Sequence, residues 1–369
     1  MSDHFYFTAP GRVEISGNHT DHQHGCVLAA AIDLEARADV TLNGSNRIRV
    51  SSVGFPPADI CLDDLSVRPE EKNSTAALVR GVAAAFKERG ADIKGFDASV
   101  TSTVLYGSGL SSSAAFEVLM GRIINRLFFD DRADAVEIAK IGQYAENVYF
   151  GKPCGLMDQT ASSVGGLVFI DFADASAPIV ERVPFDFSSC GYTLCTVDSG
   201  ADHANLTDEY AAIPGELKTL CRIMGKEVIH DVDENEFYSC LPVLRKAAGD
   251  RAVLRAIHIF DENRRVLTQI NALKNGRFDE FLNYVNLSGQ SSWDLLQNVT
   301  PCGNAFHQDM AFAITLCKRL LGENGAVRVH GGGFAGTCLA FVKNEALTGF
   351  VEGVEKVLGR GACHVLHIV

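Results

Sequence analysis

The sequence has no Cys-x-x-Cys pair and no regular pairing among its 11 cysteines, so free buried thiols are expected rather than a disulfide framework. It has no basic segment followed by a long apolar core after Met1, which argues against a signal peptide. No apolar run is long enough to span a bilayer, and no internal repeat or low-complexity tract is present. These absences predict a cytoplasmic protein with no membrane partner.

Positive charge is also scarce. The chain has 33 lysines and arginines against 46 aspartates and glutamates, which gives a net charge of −13. This excess of negative charge disfavours a polyanion-binding surface, so we expect no nucleic acid partner, although a small basic pocket for one phosphate group stays open. The 369 residues are 47% hydrophobic and 21% charged, as is typical of a compact protein of about two domains.

The pattern of apolar residues predicts an α+β fold. Residues 113–129 place apolar side chains at helical spacing and predict a helix with one apolar face. Further strands are predicted at residues 47–53, 97–105, 165–172 and 191–197. The domain boundary is expected near residues 175–190, where a short Ala-Asp-Ala-Ser-Ala-Pro stretch interrupts two strands. The predicted domains are therefore residues 1–185 and 186–369.

The helix predicted at 113–129 is preceded by a small-residue loop, residues 107–114, which read Gly-Ser-Gly-Leu-Ser-Ser-Ser-Ala. Small residues let a ligand approach the backbone, and the serines can cap the helix. Free N–H groups at a helix N-terminus favour an anion such as phosphate. No Gly-Lys-Ser/Thr follows and a third glycine is missing, so neither a Walker loop nor a Rossmann fingerprint is present. An ordinary capped helix stays open as the alternative.

Residues 11–22 bring an arginine, a histidine and an aspartate together around glycines in a predicted strand–loop–helix passage. Such polar groups suit sugar hydroxyls, because aspartate accepts hydrogen bonds and histidine can donate or accept them. One alternative is a merely solvated loop. Another is a metal site formed by His19, Asp21, His22 and His24, but no matching His/Cys cluster is evident elsewhere in the sequence.

Two carboxylates and a glycine run complete the candidate motifs. Glu146 is expected near the end of a helix, and Asp158 in a glycine-flanked turn. They could divide the work, one on Mg²⁺ and one as a base, or they could be a surface glutamate and a capping aspartate. Residues 330–337, His-Gly-Gly-Gly-Phe-Ala-Gly-Thr, lie between two predicted strands. Three consecutive glycines there indicate a close backbone approach.

Taken together and in this order, the four segments resemble those of the galactokinases among the GHMP small-molecule kinases. The galactokinase signature reads roughly Gly-Arg-Val-Asn-(apolar)-Ile-Gly-Glu-His-Thr-Asp-Tyr, and residues 11–22 match it at most positions. Residues 107–114 match the second motif, the phosphate loop. Residues 155–159, Gly-Leu-Met-Asp-Gln, resemble the catalytic Gly-Ile-Met-Asp-Gln, and residues 331–336 match the third, glycine-rich motif. The resemblance covers nearly the whole chain.

This resemblance implies a two-domain GHMP kinase fold. The N-terminal domain would hold a mixed sheet with helices, the C-terminal domain an antiparallel sheet with helices, and the active site would lie in the cleft between the domains. It implies an enzyme that uses ATP and Mg²⁺ and phosphorylates the C1 hydroxyl of galactose to give galactose 1-phosphate. The expected partners are thus a small-molecule sugar and ATP.

The resemblance also implies catalytic roles. Asp158 would be the base that accepts the proton of the anomeric hydroxyl. Arg12 would keep Asp158 ionised and neutralise developing charge near the γ-phosphate. Ser113 and Glu146 would hold Mg²⁺, with Ser112 as the alternative serine.

Two sets of binding residues follow from the same resemblance. The phosphates would be bound by Gly107, Ser108, Gly109, Leu110, Ser111, Ser112 and Ser113. The sugar would be bound by Asn18, His19, Asp21, Gly155 and Tyr210.

Three departures from the galactokinase pattern bear on the substrate. Asn18 stands where galactokinases have a glutamate that grips the C6 hydroxyl, His22-Gln23 replaces Tyr-Asn, and no basic run follows Tyr210. Losing a carboxylate beside C6 removes an acceptor and also removes repulsion toward a C6 carboxylate. Galactose is therefore the first expectation and a hexuronic acid such as galacturonate the second. A non-catalytic sugar and ATP sensor is the third, weaker because Arg12 and Asp158 are both present.

Overall fold

The computed structural model describes residues 4–104, 109–201 and 206–369. The chain forms two compact units. The first consists of Met1–Arg12, Ala30–Gly166 and Val369, and the second of Val13–Ala29 and Leu167–Ile368. Strands β1 (His4–Ser16) and β2 (Cys26–Leu42) each pass along the chain from one unit into the other.

These units divide the chain differently from the domains 1–185 and 186–369, which stay a prediction. Residues 13–29 belong with the second unit because long-range hydrogen bonds hold them there. The Cys26 amide donates to Asn263 Oδ1 (2.9 Å), and the Phe172 amide donates to the Gly25 carbonyl (3.1 Å). Pairings across more than 100 residues leave no local pattern in the sequence.

The first unit is built on a mixed sheet. Its other strands are β3 (Arg47–Ser52), β4 (Ala58–Cys61) and β5 (Phe96–Ser102). The strand order is β4-β3-β5-β2, with β1 paired to β2. β3 runs parallel to β5, whereas the β3–β4 and β2–β5 pairs are antiparallel. This is the mixed sheet expected for the N-terminal part of the chain.

The α-helices in the described part of the first unit are α1 (Thr75–Glu88), α2 (Ser112–Phe128), α3 (Ala135–Tyr144) and α4 (Met157–Val164). The predicted apolar face of α2 is present, because its central leucine, methionine and two isoleucines are fully buried. Asp134 caps α3 by accepting a hydrogen bond from the Glu137 amide at 2.8 Å. α3 is followed directly by a π-helical turn, Ala145–Phe150, which contains Glu146.

The second unit contains an antiparallel hairpin and an antiparallel sheet. The hairpin strands are β6 (Leu167–Asp171) and β7 (Ile179–Arg182). The sheet strands are β8 (Tyr192–Asp198), β9 (Gly325–Val329), β10 (Thr337–Lys343) and β11 (Cys363–Leu366). Their order is β11-β8-β10-β9, and every pair is antiparallel, as expected for the C-terminal part.

Helices make up most of the rest of this unit. They are α5 (Thr207–Ile223), α6 (Glu234–Ser239), α7 (Leu241–Ala248), α8 (Asp250–Lys274), α9 (Phe278–Ser291), α10 (Asp309–Leu321) and α11 (Leu347–Leu358). One apolar core lies between the sheet and helices α10 and α11, and another among α5 to α8. Within the described ranges, none of the helices combines the length and the apolarity that crossing a bilayer requires.

The strand–loop–helix passage predicted for residues 11–22 is wrong in its last element. β1 ends at Ser16, and the passage from there to β2 contains a single 3₁₀ turn, Asp21–Gln23, and no α-helix. His24, with φ of 57°, ends that turn. The next residues, beginning at Cys26, are a continuous buried apolar run that pairs as strand β2, and such a run favours a buried strand.

Candidate active site

An arginine and an aspartate face each other in the first unit. Arg12 Nε lies 2.7 Å from Asp158 Oδ1, and Nη2 donates to Oδ2 at 2.8 Å, so the pair is bidentate. The arginine side chain is 8% exposed and the aspartate 29%. Burial raises the pKa of Asp158, but the charge of Arg12 and hydrogen bonds from Arg12 and Ser111 outweigh it and keep this pKa below its ordinary value. Asp158 is therefore an ionised, accessible carboxylate.

Three parts of the first unit bring this pair together. Arg12 lies on β1, its amide donates to the Leu110 carbonyl (3.2 Å), and its Nη1 donates to the Gly109 carbonyl. Asp158 lies in the first turn of α4, and the Ser111 hydroxyl donates to its Oδ2. The residues just before α2 thus contact both charged groups.

The backbone before α2 adopts an unusual conformation. Gly109 and Ser111 both have positive φ, 75° and 58°. Left-handed residues of this kind turn the chain sharply ahead of a helix N-terminus. Gly107 and Ser108, predicted to bind phosphate, lie outside the described residues. The described part of the loop, residues 109–111, lies directly before α2, where the phosphate-binding loop is predicted.

Glu146 is buried rather than on a helix surface. It lies in the π-helical turn, and its side chain is 3% exposed. The Ser113 hydroxyl donates to Glu146 Oε1 at 3.2 Å, and Lys152 Nζ lies 3.6 Å from the same oxygen. Short π-helical segments are frequent at functional sites. The alternative interpretation of Glu146 as a surface glutamate does not explain why its carboxylate is buried against a serine at the N-terminus of a helix.

A second buried carboxylate, Glu117, accepts a hydrogen bond from the same side chain as Glu146 does. Gln159 Nε2 donates to Glu117 Oε2 at 2.9 Å and to Glu146 Oε2 at 3.0 Å. Burial, and then the charge of Glu146, raise the pKa of Glu117 well above its ordinary value. Sequence reasoning missed both Glu117 and Gln159. The available signal was a glutamate inside the apolar part of α2.

The donor atoms of Ser113 and Glu146 fit a magnesium ion. Mg²⁺ prefers oxygen ligands and is usually bound through one or two carboxylates together with substrate phosphates and waters. A hydroxyl and a carboxylate oxygen 3.2 Å apart provide such a partial set. In the part of the chain that the structure describes, no group of three or more His, Cys, Asp or Glu side chains is arranged to hold a metal ion. The loop of His19 to His24 gains no support as a metal site.

A cavity of about 140 Å³ opens beside the start of α2 in the first unit. Ser112 and Ser113 line it, and three phenylalanines, Phe55, Phe116 and Phe150, form much of its apolar wall. Mostly apolar pockets with a few polar groups are the usual form of small-molecule sites. The cavity is suited to a planar, largely apolar group attached to an anion at the helix N-terminus.

The predicted sugar residues of the second unit converge on the glycine-rich motif. Three successive carbonyls of that motif each accept a hydrogen bond from one of these side chains. Asn18 Nδ2 donates to Gly331 (2.6 Å), His19 Nε2 to Gly332 (3.1 Å) and Tyr210 Oη to Gly333 (2.9 Å). A Cβ on the second glycine would lie 2.9 Å from the Tyr210 ring. The close backbone approach expected of this motif is an approach to these three side chains.

The chemistry of His19 follows from its partner. A carbonyl can only accept, so Nε2 of His19 carries the proton and Nδ1 is the acceptor of the ring. Burial lowers the pKa of His19 to about 4, against the raising effect of the Gly332 carbonyl. The ring is therefore neutral at physiological pH. It can accept a hydrogen bond from a hydroxyl group.

The other two predicted sugar residues lie in short turns. Asp21 begins the 3₁₀ turn, and its Oδ1 accepts a hydrogen bond from the His22 amide at 2.9 Å. Gly155, in the first unit, lies in the loop that precedes α4. Their roles as sugar contacts stay predictions.

Asn18 is fully buried and its side chain is fully engaged by protein. Nδ2 donates to Glu14 Oε1 (3.1 Å) as well as to Gly331. Oδ1 accepts from Asn298 Nδ2 (2.9 Å) and from the Ser292 hydroxyl (3.3 Å). An asparagine side chain has two N–H donors and two acceptor lone pairs. In this arrangement all four are used, so direct contact with a sugar stays a prediction that these bonds do not support.

A polar stripe on α8 supports the same segment and was also missed. Its buried members recur at spacings of three, four and seven residues, which places them on one face of the helix: Arg255, His258, Glu262 and Gln269. Glu262 Oε1 accepts from the Gly17 amide (3.2 Å), and His258 Nε2 bonds the Asn18 carbonyl (3.0 Å). Buried polar residues at helical spacing were the available signal.

Comparisons with known proteins agree with this site. Residues 77–166 match the model of the GHMP kinases N terminal domain, and residues 1–41 match the galactokinase galactose-binding signature. The galactokinase of Actinobacillus pleuropneumoniae is 31% identical over 338 residues, which are 91% of this chain and 85% of the relative. The chain belongs to the galactokinase family. The family predicted from the four motifs is confirmed, and with it an ATP-dependent sugar kinase.

Further galactokinases and solved structures agree. The galactokinase of Streptomyces coelicolor is 30% identical over 95% of this chain and 87% of its own length. The fold is similar to that of Lactococcus lactis galactokinase complexed with galactose, with TM-score 0.83, 24% identity and coverage of 99% and 94%. It is also similar to Methanococcus jannaschii mevalonate kinase, with TM-score 0.71, 13% identity and coverage of 100% and 99%. These likenesses confirm the predicted α+β GHMP kinase fold.

Proposed function

We propose that this galactokinase-family chain transfers the γ-phosphoryl group of ATP to the C1 hydroxyl of galactose, giving galactose 1-phosphate and ADP. The observation that carries the proposal is the bidentate pair of Arg12 and Asp158, held beside the start of α2 by Ser111. The curated relatives named above are galactokinases, which supports galactose over a hexuronic acid. The intact charged pair supports an enzyme over a non-catalytic sensor.

Asp158 is the proposed base. Among the described residues, its Oδ2 accepts from Arg12 and Ser111 and its Oδ1 accepts from Arg12, so Oδ1 can take the incoming proton on its second lone pair. As the proton leaves the C1 hydroxyl, the sugar oxygen forms a bond to the γ-phosphorus and the bond from phosphorus to the ADP oxygen breaks. Arg12 stabilises the charge that develops between these oxygens.

The phosphate and magnesium roles follow from the start of α2. Residues Gly109 to Ser113, with Gly107 and Ser108 before them, are the proposed phosphate-binding residues. Ser113 and Glu146 are the proposed Mg²⁺ ligands, and the 3.2 Å contact between them supports Ser113 over Ser112. When bound, Mg²⁺ neutralises charge on the transferring phosphates. The cavity lined by Ser112 and the phenylalanines is the proposed adenine site.

The proposed sugar contacts are His19, Asp21, Gly155 and Tyr210. His19 offers an acceptor, Asp21 a carboxylate and Tyr210 a hydroxyl group whose burial raises its pKa to about 12, so that it stays protonated.

A cytoplasmic location stays a prediction.

The test is ADP release with ATP and Mg²⁺ over a panel of galactose, galacturonate, glucuronate, N-acetylgalactosamine, arabinose and glucose. Asp158→Ala serves as the blank. Turnover highest on galactose is expected. Higher turnover on galacturonate would move the assignment to a sugar-acid kinase, and no turnover on any sugar while ATP still binds would overturn the proposed reaction.

A further inference from the structure

A buried charge pair lies next to the proposed sugar-binding residues of the second unit. Glu14 Oε1 accepts from Arg328 Nη2 at 2.6 Å, and the two side chains are 5% and 0% exposed. Arg328, on β9, also donates from Nη1 to the Ile15 carbonyl at 3.0 Å. One buried carboxylate and one buried guanidinium therefore neutralise each other, as buried charges must.

Asn18 connects this charge pair to the glycine-rich motif. Its Nδ2 donates both to Glu14 Oε1 and to the Gly331 carbonyl. Asn298 Nδ2 makes a parallel link, donating to Asn18 Oδ1 (2.9 Å) and to the Gly332 carbonyl (3.2 Å). The Gly332 carbonyl is also the partner of the His19 ring. The orientation of that ring thus depends on a chain of hydrogen bonds that starts at Glu14.

We propose that Glu14 and Asn18 act as one unit that positions His19, and that Glu14 is the reason residue 18 is neutral in this chain. The inference rests on the proposed function, in which His19 contacts the sugar. Both residues are positioning residues, since the polar atoms of the Asn18 side chain and Oε1 of Glu14 are bonded to protein. The absence of a glutamate at position 18 is then a consequence of the buried carboxylate at position 14 and does not signal a different sugar.

The physical reason is the charge balance of the network. A glutamate at position 18 would bring a second carboxylate against Glu14 Oε1 and the Gly331 carbonyl, where Asn18 now supplies two N–H donors. Two carboxylates would then compete for Arg328, and like charges in a buried site repel strongly. The sequence agrees with this reading. In the galactokinase signature quoted above, asparagine occupies the position of Glu14 and glutamate that of Asn18, so the carboxylate and the amide have exchanged places.

The test is a double-mutant cycle on the full chain with Glu14→Asn, Asn18→Glu and the two combined. Galactose binding is measured by titration calorimetry, together with KM for galactose, KM for ATP and kcat. Each single substitution is expected to weaken galactose binding at least tenfold with KM for ATP unchanged. The double variant is expected to return to within about threefold of wild type, a coupling of about thirtyfold or more, at least about 2 kcal/mol.

A matched control separates positioning from general stability. Glu71 and Arg80 form a partly buried bidentate pair in the first unit, with contacts of 2.7 and 2.6 Å. Glu71→Gln is expected to lower stability without changing KM for galactose. Glu14→Gln, a conservative variant that keeps the size of the side chain, is expected to raise that KM and serves if Asn18→Glu does not fold.

Two results would overturn the inference: losses in the double variant that equal the product of the single losses, or an unchanged galactose KM in Glu14→Gln. If wild type binds no galactose, the proposed function fails by itself. The urea unfolding midpoints of the single and double variants then test the Glu14–Asn18 unit without any sugar. Effects of the two substitutions that simply add would count against the unit.

Discussion

Strand β1 carries two arginine–carboxylate pairs that lie two residues apart along the chain and differ in their exposure to solvent. Arg12 pairs with Asp158, which is 29% exposed, whereas Glu14 pairs with Arg328 where both side chains are almost fully buried. The interatomic distances are nearly the same, 2.7 and 2.6 Å. Distance alone therefore does not separate the proposed reactive pair from the proposed positioning pair. Access to the carboxylate oxygen does.

The largest expected effect concerns the accessible pair. Asp158→Asn should lower kcat about 10²–10⁴-fold, because an amide cannot accept the proton of the sugar hydroxyl. Galactose binding should stay close to wild type, because the side chain keeps its size. The unfolding midpoint should fall somewhat, because the amide nitrogen cannot accept hydrogen bonds from Arg12 or Ser111 and only the amide oxygen can. Kinetics and calorimetry on the same preparation check this. A variant that retains more than a tenth of wild-type kcat would show that Asp158 is not the base.

The next effect concerns how the first unit holds Glu146. Gln159→Met removes the amide that bonds both Glu146 and Glu117, so the affinity for Mn²⁺ in the presence of ADP should fall about 10–100-fold, as for other residues that orient a metal ligand. Electron paramagnetic resonance of Mn²⁺ measures this without turnover. Glu137→Gln, on the exposed surface of α3, is the control and should bind Mn²⁺ as wild type does. Equal affinities in all three proteins would contradict the role given to Gln159.

The smallest effect concerns the buried carboxylate of α8. Burial would raise the pKa of Glu262, but charges led by Arg265 and a hydrogen bond from Ser288 lower it from 4.5 to about 2. A lowered folded-state pKa contributes stability that is present above the ordinary value and is lost as pH falls toward 2. Between pH 6 and pH 3 this one group should cost about 2 kcal/mol of unfolding free energy.

Urea unfolding of wild type and Glu262→Gln at pH 6 and pH 3 tests that figure. The variant should lose about 2 kcal/mol less than wild type over this interval. Parallel losses in the two proteins would mean that Glu262 does not contribute to the loss of stability between pH 6 and pH 3.

Local patterns predicted much of this molecule. The apolar face of α2 and the motif that contains Asp158 depend on residues near one another in sequence. The mixed and antiparallel sheets were expected from the family resemblance instead, because their strands pair across long stretches of chain, as β8 does with β10. The bonds that give Asn18 its role also join distant residues, because Gly331 is 313 residues away and Glu262 is 244 residues away. The same reasoning explains why Glu117 was missed, since only folding brings it to Gln159. A motif identifies a reactive residue, but its supporting partners emerge from the tertiary structure.

The hydrogen bond from His19 to the Gly332 carbonyl also fixes the direction of bonding that the ring can offer. With its only proton committed to a carbonyl, the imidazole presents a lone pair, so a hydroxyl that meets it must be the donor. Fluorine cannot donate. A deoxyfluoro sugar with fluorine at that position would bring two electron-rich atoms face to face, and it would be rejected although it matches the hydroxyl in size.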